Sequence, residues 1–270
     1  MITEIFSYPF LVRALLIGLF VSISASLLGV SLVLRRFSMI GDGLSHVGFG
    51  ALGISALLSL QPMAVTIPVV VASAFILLRL SEKKKSGDSS IALLSSSALA
   101  VGVIAVSVAG VNTDLNAFLF GSILSVSKSD GYIAAIISAV TLLSYLLFYH
   151  QIYATTFDSA FAKATGINTG RYTALLSLLT ALVIVVGMRI LGSLLISSLI
   201  IFPASIAMKV EKTYLSVSIL AAIEAVVAFI LGFFASYLFS LPTGASIVAA
   251  HVVFYVLSII VREARIALGD

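Results

Sequence analysis

The chain has no cysteine and no tryptophan, and only 10% of its 270 residues are charged. Without cysteine there can be neither disulfides nor thiolate metal ligands. Without tryptophan, any aromatic belt at a membrane surface must rest on tyrosine and phenylalanine. A soluble domain carries about 25% charged residues, so the scarcity of charge excludes an ordinary soluble protein. No Gly-x-x-x-x-Gly-Lys-Ser/Thr pattern occurs, so this chain is not expected to hydrolyse ATP. His-Glu-x-x-His is also missing, which argues against an intramembrane metalloprotease. A net charge of +4 gives no footprint for nucleic acid.

What the chain does have is apolar length. It is 61% hydrophobic, with a mean hydropathy of +1.23. The pattern predicts a single all-α integral membrane domain over 1–270, each span needing about 20 apolar residues. About nine spans are expected: 10–34, 39–60, 64–80, 91–111, 132–149, 172–188, 190–208, 214–239 and 245–261. Eight remain possible if two short neighbouring runs form one broken helix. The piece 115–127 is too short and too broken by Gly121 and serines to cross, and reads as a short external or re-entrant helix. The N-terminal stretch lacks a basic region and runs apolar to Leu34, which reads as a first span and not a cleaved leader.

Nine spans place the termini on opposite sides. With the N-terminus outside and the C-terminus cytoplasmic, the inner set is Arg35, Arg36, Arg79, Lys83, Lys84, Lys85, Lys163, Arg171, Lys209, Lys212, Arg262 and Arg265. The outer set is Arg13, Lys128 and Arg189, so the positive-inside bias is twelve against three.

Against this background, a few ionisable groups stand inside spans. Asp42 and His46 are four residues apart and share one helical face. At about 1.5 Å of rise per residue, His46 lies about 15 Å past Arg36, Glu224 about 18 Å past Lys212 and His251 about 16 Å before Arg262. In a hydrocarbon core about 30 Å thick these three depths meet near the midplane. Carboxylate and imidazole inside a membrane are costly and mark functional sites by default. Together they form a donor set suited to Zn²⁺ or Mn²⁺, so Asp42, His46, Glu224 and His251 are the candidate metal ligands. Gly41, Gly43, Ser45, Gly48, Gly50 and Gly53 crowd the same helix as Asp42, a pattern of close helix packing. Pro203 with Ser197, Ser198 and Ser205 predicts a kink whose freed carbonyl needs a partner.

Residues 150–171 form a polar-mixed cytoplasmic segment. Within it a short helix is expected to end near Gly166, and its small residues suit a close-fitting partner. Phe157, Asp158, Phe161, Ala162 and Gly166 are the candidate contact residues.

The stretches RRFSMIGDGLSHVGFGALG, DLNAFLFGSILSVS, FDSAFAKATGIN, GSLLISSLIIFPASIA and LPTGASIV together resemble the motifs of the ABC-3 permeases, the membrane subunits of bacterial ABC importers for zinc, manganese or iron. The resemblance covers most of the chain. It implies a type II permease fold like that of the vitamin B12 importer less its first helix. It further implies a homodimer in the bacterial cytoplasmic membrane with its path at the twofold axis. Two copies of a cytoplasmic ATP-binding subunit would drive it, and an extracytoplasmic metal-binding protein would deliver the ion. No permanent cofactor is implied; the metal is cargo. FDSAFAKATGIN would be the coupling helix. Asp42 and His46 fall on motif positions, whereas Glu224 and His251 rest on depth. Two further readings compete: an ion-coupled secondary transporter, and an ABC permease for an iron chelate.

Overall fold

A computed structural model describes residues 8–83, 87–110, 121 and 128–268. Every regular element among them is helical. In chain order these are α1 (Pro9–Leu34), α2 (Ile40–Leu57), α3 (Pro62–Lys83), α4 (Gly87–Ala109) and α5 (Lys128–Leu147). Then follow α6 (Tyr149–Phe157), α7 (Ser159–Ala164), α8 (Thr169–Leu191), α9 (Ser193–Val210), α10 (Tyr214–Phe239) and α11 (Thr243–Leu268). In hydrocarbon a backbone must satisfy its own polar groups, and an unbroken apolar helix does so internally.

Among the described residues, seven helices are long and apolar enough to cross a membrane: α1, α4, α5, α8, α9, α10 and α11. The other two long helices, α2 and α3, also coincide with expected spans, and α3 is apolar throughout Pro62–Leu78. Helix α2 has 18 residues, and its glycines, Asp42 and His46 dilute its hydropathy. The structure thus supports a multi-pass membrane protein. The short outer helix expected over 115–127 lies outside the described residues apart from Gly121.

Helices α1 and α8 form the centre, with 67% and 72% of their most apolar stretches buried; α4 has 22%. The low value for α4 leaves an outer face for lipid or another chain. Helix α1 packs against α9, α10, α5 and α8, while α2 packs on α4, α3 and α9. Helix α9 also contacts α10 and α11, so it stands between the α2 group and the α10–α11 hairpin.

The turn between α1 and α2 sets where Asp42 falls. The Phe37 amide donates to the Leu32 carbonyl at 2.9 Å, and the Arg36 amide to Val33 at 3.0 Å, with Arg36 at φ 63°. This is a Schellman stop, which ends α1 sharply. Helix α2 restarts three residues later, putting Asp42 in its first turn, where the helix dipole favours an anion. The crossing of α2 on α4 is very close: a Cβ on Gly50 would stand 2.6 Å from the Ala98 carbonyl oxygen, and one on Gly53 2.7 Å from that of Gly102. Close packing therefore accounts for the glycines of α2.

Candidate functional site

The four expected ligands fall into two pairs. On α2, Asp42 Oδ2 lies 3.5 Å from His46 Nε2 across one helical turn. The Asp42 side chain is 49% exposed and that of His46 21%, so the pair looks out of an open side of the chain. The Nδ1 of His46 is buried with no hydrogen-bond partner.

On the hairpin, Glu224 of α10 and His251 of α11 meet directly, with Oε1 2.9 Å from Nδ1. Their side chains are 6% and 0% exposed. Glu224 Oε2 and His251 Nε2 are buried without partners. An unpaired buried polar atom costs about 1–3 kcal/mol, so two such atoms side by side need a reason. One reason is chemical. When Nδ1 of an imidazole is held by a carboxylate, Nε2 is fixed in orientation and its lone pair is free to ligate. Phe202 of α9 stacks on the His251 ring at 5.8 Å and 12°, and Tyr255 meets Phe202 edge-on at 5.9 Å.

The two pairs are not joined. Among the described residues no group of three or more His, Asp or Glu side chains is close enough to hold a metal ion. Helix α9 lies between them: a Cβ on Gly41, next to Asp42, would meet Ser197 Cα at 3.2 Å, and Phe202 covers His251. The hydroxyls of Ser197 and Ser198 donate back to Ser193 and Leu195 carbonyls. They are therefore spent, and neither serves the Leu199 carbonyl whose usual donor is lost at Pro203.

At the other candidate region, Asp158 caps α7. Its Oδ1 accepts from the Ala160 and Phe161 amides, both at 2.9 Å. The far end is a second Schellman stop: the Ile167 amide donates to Ala162 at 2.9 Å, the Gly166 amide to Lys163 at 3.1 Å, and Gly166 has φ 86°. Ala162 is fully buried and anchors the helix, whereas Phe157 and Phe161 are 60% and 65% exposed. Large aromatic side chains standing out at the end of a polar segment are suited to contact.

Sequence reasoning missed α6 and the cluster it carries. Tyr145, Tyr149, Tyr153 and Phe157 recur every four residues, and the last three rings pack around Tyr214 at 5.5, 5.1 and 6.1 Å. The Tyr214 hydroxyl is 2.7 Å from Ser31 Oγ and 2.8 Å from the Tyr145 hydroxyl. Arg35 donates to the Thr155 carbonyl at 3.0 Å and to Thr173 Oγ1 at 3.3 Å. Together these contacts fasten α6, and through it α7, to α1, α5, α8 and α10.

Comparison with known proteins adds independent findings. The model of the ABC 3 transport family matches residues 7–262. The chain is 31% identical over 253 residues to the manganese import system permease protein ScaB of Streptococcus gordonii, covering 93% of this chain and 91% of that protein. It is 30% identical over 259 residues to the high-affinity zinc uptake system membrane protein ZnuB of Haemophilus influenzae, covering 95% and 99%. Among solved structures, PsaBC from Streptococcus pneumoniae in complex with Fab is similar, with a TM-score of 0.82 and 33% identity over 96% of this chain and 95% of that one.

Proposed function

The chain belongs to the ABC 3 transport family, and from that premise we propose that it is the permease subunit of an ATP-driven importer of Mn²⁺ or Zn²⁺ in a bacterial cytoplasmic membrane. The buried Glu224–His251 pair carries this reading. It leaves one carboxylate oxygen and one imidazole nitrogen unpartnered inside a membrane-embedded hairpin, which is a cost with no structural return unless a cation uses them. Relatives named for manganese and zinc transport support the choice of cargo.

In this reading the nine long helices are nine spans, with the N-terminus outside and the fold that of a type II permease. Two copies form the path, and the open side bearing Asp42 and His46 faces it. Asp42, His46, Glu224 and His251 are the cargo ligands. They are apart in this conformation, so a complete coordination shell requires α2 to approach the hairpin past α9, or a second copy to contribute. Alternating access offers the first: a site that assembles and comes apart can bind the ion and also release it. Residues 150–171 form the coupling segment. Phe157 and Phe161 contact a separate ATP-binding subunit, Asp158 and Gly166 hold the helix ends, and Ala162 seats it. Two copies of that subunit and an extracytoplasmic metal-binding protein complete the assembly.

The test is uptake by the reconstituted assembly. Mn²⁺ or Zn²⁺ is expected to accumulate only with ATP and the ATP-binding subunit present. Accumulation driven by a proton or sodium gradient without ATP overturns the proposal.

A further inference from the structure

Four cations of α9, α11 and the α9–α10 turn have no part in metal handling. Lys209, Lys212, Arg262 and Arg265 line one cavity of about 580 Å³, with Glu211 as its one acidic lining residue. Four positive charges against one negative leave a lining of +3. Among the described residues none of the four has a carboxylate within 4.0 Å. Two of them are held in place. Arg265 Nη1 donates to the Val210 carbonyl at 2.9 Å, and the Lys209 ammonium sits 3.9 Å above the Tyr255 ring. A concave, net-positive cavity with restrained cations is built for an anion with several oxygens.

Its surroundings say which anion. Arg262 continues the stripe His251, Tyr255, Ser258 along α11, at helical spacing. The neighbouring strip of the same helix bears Val252, Val256 and Ile259, exposed by 44%, 50% and 38%. An apolar strip that ends beside clustered cations matches a phospholipid, with chains along the helix and phosphate at its end. Basic pockets between transmembrane helices hold anionic headgroups in this way.

We propose that the cavity between the end of α9 and the last turns of α11 binds the phosphate headgroup of an anionic phospholipid. The site needs only a membrane setting, so it stands or falls separately from metal transport.

The test is native mass spectrometry of the full chain in detergent, titrated with phosphatidylglycerol or with phosphatidylcholine of the same chains. One phosphatidylglycerol is expected to bind per chain in preference to phosphatidylcholine. The double variant Lys212→Ser/Arg262→Ser should bind it about 30-fold more weakly, from about 1 kcal/mol per cation. The charge-keeping variant Lys212→Arg/Arg262→Lys should retain it, which separates loss of the site from loss of the fold. A control with equal charge loss elsewhere, Lys163→Ser/Arg171→Ser, should also retain it. Undiminished binding by the first variant, equal loss in the control, equal binding of phosphatidylcholine, or displacement of the lipid by inorganic phosphate alone overturns the proposal.

Discussion

The Nδ1 of His251 lies 2.9 Å from Oε1 of Glu224, joining α11 to α10 at a point where both side chains are buried. This contact ties hairpin stability to the proposed chemistry, and conservative and drastic substitutions separate the two. His251→Ala strands the Glu224 carboxyl in a buried site, and losing one partner of a buried pair costs about 3–5 kcal/mol. Glu224→Gln keeps an acceptor for Nδ1–H and removes only the negative charge. We expect a clear fall in thermal stability for His251→Ala and a small one for Glu224→Gln, with metal uptake lost in both. Thermal unfolding followed by size-exclusion fluorescence, beside an uptake assay, reads both quantities.

The cap and stop of α7 predict a local failure. Asp158→Ala removes the acceptor for two amides and costs about 1 kcal/mol of helix stability. Gly166→Val forces a β-branched residue to φ 86°, costing about 1–2 kcal/mol. Both positions are exposed, so the permease should fold and insert normally. Co-purification of the ATP-binding subunit should fall, and that capture is the measurement.

Tyr214 predicts an effect transmitted through packing. Tyr214→Phe keeps the ring among Tyr149, Tyr153 and Phe157 but removes the hydroxyl bonded to Ser31 and Tyr145. The loss should cost about 1–3 kcal/mol, because buried hydroxyls on α1 and α5 are left short of a partner. ATPase rate stimulated by the permease should drop while capture of the ATP-binding subunit stays intact, since Phe157 and Phe161 remain in place.

Much of this was legible in the chain. Hydropathy located each long helix, with α2 expected at 39–60 and lying at Ile40–Leu57, but the last helix, expected at 245–261, runs on to Leu268. Apolar length is a one-dimensional property, and a membrane reads it in one dimension. Depth along each span likewise placed Glu224 and His251 at a common level. Depth carries no azimuth, however, so neither their direct contact nor their separation from Asp42 and His46 could be read. Those depend on which faces α9 keeps apart, and that follows from packing at residues such as Gly41 and Phe202. The short helix α7 was expected from Gly166, while the break at Phe148 that starts α6 was missed. Its signal was present: Tyr145, Tyr149, Tyr153 and Phe157 repeat every four residues beyond the end of an apolar span.

The central claim is that the α2 pair and the hairpin pair serve one and the same ion. Mn²⁺ uptake by the reconstituted assembly, measured for His46→Ala, His251→Ala and the two combined, tests it most directly. Residues that serve one event lose function non-additively. The account predicts that each single variant loses at least about 100-fold, or about 2.7 kcal/mol, and that the double variant is no worse than the weaker single. Uptake at the normal rate by either single variant, or losses that multiply in the double, contradicts it.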